Sequence, residues 1–298
     1  MHPPPAPRVL CLALVFFDLE VVRRSLAFLG RLGAQVDLVV LENRSPHSDS
    51  SIRPYLNRLL ADGGCSKVVE FDDNASNNAV EFVLSEPGVF GLSLQAYDWI
   101  LVTDGDIEMA GIDWLSAECD LLERRRDLFA CCVQLDLVNL PVVTFPDAAG
   151  WIPPIIQAHP DFIETKTGIH LALFRAKELV EAVAWLQRRG LRFVDSALHH
   201  YCYQVLGRKW GVLPNHAARH LTWDSYSDPA HPYTVWKRTQ TLASVWNHAR
   251  FGGGEVRDDE GVRRFHPWRI QFRRRWRRAQ GVCQRVWERC RRMCGAHV

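Results

Sequence analysis

No apolar run in this chain of 298 residues approaches the roughly 18 that span a bilayer, which argues against a helical membrane protein. The longest run, Val9 to Phe17, stops at Asp18 and Glu20. Its flank, Met1-His2-Pro3-Pro4-Pro5, has no basic start, so the run reads as a buried strand and not as a secretory signal, Arg8 notwithstanding. The nine cysteines are odd in number and scattered, with no CxxC pair and no zinc spacing. That excludes a disulfide framework and a structural zinc site. It suits a reducing cytosol, where Cys behaves as a small hydrophobe. There is no internal repeat.

Acidic residues are nearly missing from one region only. From Arg263 to the end there are 12 arginines and a single acid, Glu288, giving +11, while the rest carries −9 of the net +2. A mildly acidic body and a strongly basic tail point to different jobs. Between them, Gly252-Gly253-Gly254 and Asp258-Asp259-Glu260 read as a flexible polar linker over residues 251–262. The expected organisation is therefore a body over 1–250, this linker, and a tail over 263–298. In the tail Trp268, Phe272, Trp276, Ala279, Cys283, Val286, Trp287, Cys290 and Met293 recur at three- and four-residue steps. Arginines fill the other faces, so the tail is a basic amphipathic helix with Gly281 as its weak point.

What the body does contain is an alternation of strand and helix signals. Val9–Phe17, Val36–Leu41, Val68–Phe71, Trp99–Val102, Leu128–Val133, His170–Phe174 and Trp210–Leu213 are compact apolar runs. Helical spacing appears at Leu19 to Leu29, Ile52 to Leu60, Ala79 to Leu84, from Leu179 to a stop at Gly190, and over Asp195–Leu206. Such a βαβα order predicts an α/β fold with a mostly parallel sheet flanked by helices. Ligands of such sheets sit at the carboxyl ends of the strands.

Asp104-Gly105-Asp106 stands at that end of the fourth strand. Two carboxylates one residue apart can share a hard divalent cation, Mg2+ or Mn2+, together with the diphosphate it carries. A solvated Asp-Gly-Asp turn is the alternative.

Other strand ends carry polar residues whose order resembles the family-2 glycosyltransferases of the GT-A (Rossmann-like) fold, over roughly residues 8 to 224. Phe17-Asp18 follow strand one, where that family has an aromatic and a polar residue. Glu42-Asn43-Arg44-Ser45 resembles the Asp-Asn-x-Ser turn that touches nucleobase and ribose, with Glu in place of Asp. Asn74 and Asn78 resemble its spaced Asn pair, and Asp104-Gly105-Asp106 its metal motif. Thr167-Gly168-Ile169-His170 stands for the acceptor-side strand. Val194-Asp195 keeps one carboxylate of a Glu-Asp pair that supplies the base, and His220 matches a late metal-holding His. The resemblance implies a donor site at Phe17, Glu42, Asn74, Asn78 and Asp104, a metal site at Asp104, Asp106 and His220, and Asp195 as catalytic base. It further implies a metal-dependent, inverting transferase acting on a nucleotide-diphosphate sugar and a hydroxyl-bearing acceptor, such as a glycan or lipid-linked polysaccharide precursor.

Each position also has a structural alternative. Asp195 can cap the helix it opens, Asn74 and Asn78 can cap the next one, and Glu42–Ser45 can be only a turn. Phe17 can belong to the core and His220 can be a satisfied structural His. Two other enzyme classes compete. Haloacid-dehalogenase-like phosphatases use Asp-x-Asp on their first strand, but three strands precede it here. Sugar-phosphate nucleotidyltransferases carry a glycine-rich loop where this chain reads Phe16-Phe17-Asp18-Leu19. A non-catalytic protein acting through its basic tail is the third reading. The acidic body argues against nucleic acid, and the one-sided aromatic stripe suits an anionic membrane surface, the alternative being docking on the protein's own body or on a partner. The expected location is cytoplasmic, peripheral on the inner membrane face.

Overall fold

The structure, a computed structural model, describes residues 8–239 and 253–294. Met1–Pro5, Gly252 and the side chains of Met293 and Cys294 lie outside the described residues. The body opens with β1 (Val9–Val15), α1 (Leu19–Gly30), β2 (Val36–Glu42), α2 (Arg53–Ala61), β3 (Lys67–Phe71), α3 (Asn78–Ser85) and β4 (Trp99–Asp104). There follow β5 (Ile107–Glu108), α4 (Trp114–Arg124), β6 (Leu128–Leu135), β7 (Ile155–Ala158), β8 (Ile163–Thr165), β9 (Ala172–Arg175), α5 (Ala176–Arg189) and α6 (Asp195–His200). The chain then runs through β10 (Lys209–His220), α7 (Leu221–Ser227), α8 (Pro232–Thr239), β11 (Gly254–Asp258), β12 (Gly261–Phe265) and α9 (Pro267–Cys294).

One sheet unites the strands in the order β12-β11-β3-β2-β1-β4-β9-β6-β10-β8-β7, with β5 attached to β10. Every residue of β1 is buried, and its alternation divides them between two cores. Leu10, Leu12 and Leu14 belong to the core on the α3 and α5 side, whereas Cys11, Ala13 and Val15 belong to the core that includes α1 and α4 residues. The local signals act as their chemistry suggests. Asp18 caps α1 by accepting from the N–H groups of Glu20 and Val21, and Gly190 ends α5 in the left-handed conformation.

The fold is α/β as expected, but the sheet is mixed. β1 pairs in parallel with β2 and β4, β2 with β3 and β6 with β10. By contrast β9 runs antiparallel between β4 and β6. Leu171-Ala172-Leu173-Phe174 is covered on both faces, so it shows the same unbroken apolar run as a parallel strand and hides its direction. The expected helix over Asp195–Leu206 is α6 followed by a wider turn, closed by the Leu206 N–H donating to the Tyr201 carbonyl at 3.0 Å.

The expected flexible linker is instead a hairpin that extends the sheet. β11 pairs antiparallel with β3, and β12 with β11. A Cβ on Gly254 would lie 2.0 Å from the Glu70 carbonyl oxygen, so this glycine serves close strand approach rather than flexibility. Asp258 ion-pairs with Lys67 and Arg263, Glu260 with Arg263, and Arg257 with Glu70, so two of the three acids of the run are paired in place. No helix among the described residues is long and apolar enough to cross a membrane.

Candidate active site

The sheet register brings the acid motif to its partners. β4 ends at Asp104, and β5 pairs with the end of β10 so that His220 faces Ile107, the residue after Asp106. The Leu221 N–H donates to the Asp106 carbonyl at 2.6 Å and locks this corner. Gly105 makes the corner possible, since a Cβ there would stand 2.6 Å from the Leu14 carbonyl oxygen of β1.

Thr222 Oγ1 donates to Asp106 Oδ2 at 2.7 Å, and His220 Nδ1 lies 3.4 Å from the same oxygen. Trp223 stacks on the imidazole with ring centroids 4.8 Å apart, which fixes its plane. Asp106 Oδ1 is buried and has no hydrogen-bond partner among the described residues. A buried orphan carboxylate oxygen facing a cavity is the kind of group a cation satisfies. The cavity, of about 270 Å³, is lined among others by Phe16, Asn43, Asn74, Asp104, Asp106, His220, Tyr233, Trp236 and Lys237. A larger cleft of about 940 Å³ lies at the amino ends of β2 and β3, away from these groups.

Charge is balanced tightly here. Burial, then the neighbouring Asp106 and Asp195 carboxylates, push the Asp104 pKa well up, and Lys237 opposes this. Burial lowers the Lys237 pKa while both aspartates hold it up. Burial likewise lowers His220, which favours the neutral imidazole that ligates metals. Among the described residues no group of three or more His, Cys, Asp or Glu side chains is close enough to hold a metal by itself. A magnesium-like ion fits such a sparse site when phosphate oxygens complete its shell.

Asp195 opens α6 and is not part of the cavity lining, yet it is near enough to raise the Asp104 pKa. Burial raises its own pKa to about 6, opposed by its own N–H and that of Ile169. Thr167-Gly168-Ile169-His170, expected as a strand, is the loop before β9, and Gly168 lets the backbone pass close to Asp195 Oδ2.

The donor-side expectations divide. Asn74 lines the cavity and its Oδ1 accepts the Ser76 N–H at 2.8 Å. Asn78 is buried at the start of α3 and lies outside that lining. Glu42 is fully buried and outside it too, bound by the Ser48 hydroxyl and by Arg53 Nε at 3.0 Å. Its neighbour Asn43 reaches the wall instead, with Oδ1 accepting the Ala75 N–H at 2.9 Å. Phe17 is likewise buried, with a positive φ of 67° that leaves Phe16 on the wall. Such a φ is strained for an aromatic residue and marks a tight turn at the strand end. Tyr233, Trp236 and Lys237 of α8 were not anticipated. Their only signal was i, i+3, i+4 spacing after Pro232, beyond the stretch that carried the resemblance.

No protein-family model matches the chain. It is 32% identical to the uncharacterized protein L137 of Acanthamoeba polyphaga mimivirus over 243 residues, 82% of this chain and 33% of that protein. A second uncharacterized protein of that virus is 32% identical over 78% of this chain and 47% of its own length. The chain thus spans less than half the length of these relatives. A solved structure of GalNAc-T7 with UDP, GalNAc and Mn2+ matches with a TM-score of 0.51 and 12% identity, covering 81% of this chain and 47% of that one. The chain therefore has a glycosyltransferase-like α/β fold.

Proposed function

We propose that this chain is a glycosyltransferase that moves a sugar from a nucleoside-diphosphate donor to a hydroxyl of a glycan or lipid-linked acceptor. The observation that carries the reading is Asp106, with one carboxylate oxygen fixed by Thr222 and the other buried and orphaned, in a cavity that also holds Asp104, His220 and Lys237. Asp106, His220 and Asp104 would hold Mn2+ or Mg2+ together with donor phosphates. Such an ion supplies electrostatic stabilisation of the departing diphosphate. Lys237 offers a second positive charge at the same phosphates, while Asn43, Asn74 and Phe16 line the cavity where the nucleoside would lie.

Asp195 is the proposed base. It accepts the acceptor hydroxyl proton as that oxygen bonds the anomeric carbon. The bond to the β-phosphate oxygen breaks, and its electron pair leaves with the nucleoside diphosphate. One base and one displacement give inversion. A pKa near 6 keeps this carboxylate ionised yet basic at neutral pH. We place the enzyme in the cytoplasm.

A panel of nucleotide sugars tested by thermal shift, with and without manganese, checks the reading, since a bound donor raises Tm by mass action. One donor is expected to stabilise the chain, with manganese adding to the shift. Asp106→Asn should remove the manganese-dependent part. Lys237→Met should weaken donor affinity by about tenfold, the scale of one charge-assisted contact. Donor shifts that persist unchanged in both variants would place the binding site elsewhere.

A further inference from the structure

α9 docks on the body with the wrong face for an ordinary amphipathic helix. Its inward side is mostly polar. Arg274 pairs with the fully buried Glu81 at 2.8 Å, Arg277 donates to Gln187 Oε1 at 2.5 Å, and Gly281 lies against the Arg188 backbone. Ile270 is the fully buried apolar residue on that side. Half a turn away the aromatic stripe points outward: Trp268 is 62% exposed, Phe272 62%, Trp276 55% and Val286 56%. At about 100° per residue these four fall within roughly a quarter of the helix circumference, opposite Ile270, Arg274 and Gly281.

Large apolar side chains in a contiguous exposed row mark an interaction surface. The row is bordered by the exposed Arg269 and Arg275, beside Arg273, which pairs with Glu86 at 3.0 Å, and the sequence from Arg263 onward carries +11. We infer that this face of α9 is a docking surface for an anionic phospholipid bilayer, with Trp and Phe entering the headgroup region and the flanking arginines meeting the phosphates. Charge selects the partner. The body carries −9 and repels an anionic surface, so attraction must be local to this helix. Trp, moreover, is the side chain that suits a boundary apolar on one side and wet on the other. Docking α9 through its polar face leaves that stripe available without unfolding anything. This inference does not depend on the transferase reading.

Vesicle flotation of the full chain tests it. Binding is expected to phosphatidylcholine vesicles containing phosphatidylserine, not to phosphatidylcholine alone. Raising salt from about 0.05 M to about 0.5 M should weaken it, because the Debye length shortens several-fold. The variant Trp268→Ser/Phe272→Ser/Trp276→Ser changes exposed side chains only. It should keep the Tm of the parent and lose vesicle affinity by about tenfold or more. Equal flotation of parent and variant, or equal flotation on neutral vesicles, overturns the proposal. So does a dimer in sedimentation velocity that the triple variant splits, which would make the occupant a second copy. Tight binding of a single-stranded oligonucleotide without flotation would overturn it in favour of nucleic acid.

Discussion

Glu118 sits on α4 with its side chain fully buried and neither carboxyl oxygen hydrogen-bonded among the described residues. Burial drives its pKa well up, so the fold holds it as the neutral acid. An unfolded Glu releases its proton near pH 4.3. Stability from this group is therefore complete below about pH 4.3, and it is lost as pH rises toward the folded pKa. The slope while the group stays protonated is about 1.4 kcal/mol per pH unit. Glu118→Met keeps the length and removes the titration. In urea melts its advantage over the parent should widen between pH 5 and pH 8, and a constant gap would mean that Glu118 ionises within the fold. Asn43 and Phe16 carry a different lesson at this scale. They line the cavity where Glu42 and Phe17 were expected, one residue away in each case. Along a strand neighbours point to opposite faces, and the turn after it sets which one ends at the site, so a motif aligned by residue type misses by one.

At the scale of elements, the hairpin β11–β12 shows how composition misleads. Gly253-Gly254 followed by acids has the signature of a polar linker, yet two of its residues answer neighbours that are distant in sequence: Gly254 the Glu70 carbonyl, Asp258 the Lys67 ammonium. Long-range pairing leaves no local trace, and this is why the hairpin and the direction of β9 were not legible. Strands β1 to β4 and helices α1, α3 and α5 were, because burial on one or both faces writes a period into the chain. Gly254→Val tests the reading of the glycine. A Cβ 2.0 Å from a carbonyl oxygen cannot be accommodated without moving β11 off β3. The expected loss in urea melts is about 2 kcal/mol or more, the range for steric failure inside a sheet. Stability within about 0.5 kcal/mol of the parent would instead mark the hairpin as loosely attached.

For the whole molecule, the candidate site is an assembly of distant parts: Asp104 and Asp106 from β4 and the turn after it, His220 from β10, Lys237 from α8 and Asp195 from α6. The acid motif, the late His and the candidate base were visible as residue types at strand and helix ends. Lys237 was not, since a lone Lys beside Trp in a short helix reads as surface. Assembly also sets the behaviour of the proposed base, because burial that comes from the entire fold lifts the Asp195 pKa to about 6. A base must be ionised to accept a proton, so single-turnover transfer should rise about tenfold per pH unit up to pH ~6 and level off above it. Val194 holds the N-cap position and Asp195 is the first residue of α6, so Asp195→Asn removes the carboxylate charge without removing a cap. The variant should keep the Tm and the donor shift of the parent and lose transfer by about 10²- to 10⁴-fold. Transfer at the parental rate, or a profile whose midpoint does not change when Asp195 is replaced by Glu, would assign the proton to another group. The midpoint is the more discriminating readout: a carboxylate with only a structural role affects how much enzyme is folded at each pH, whereas a base affects the rate of the enzyme that is.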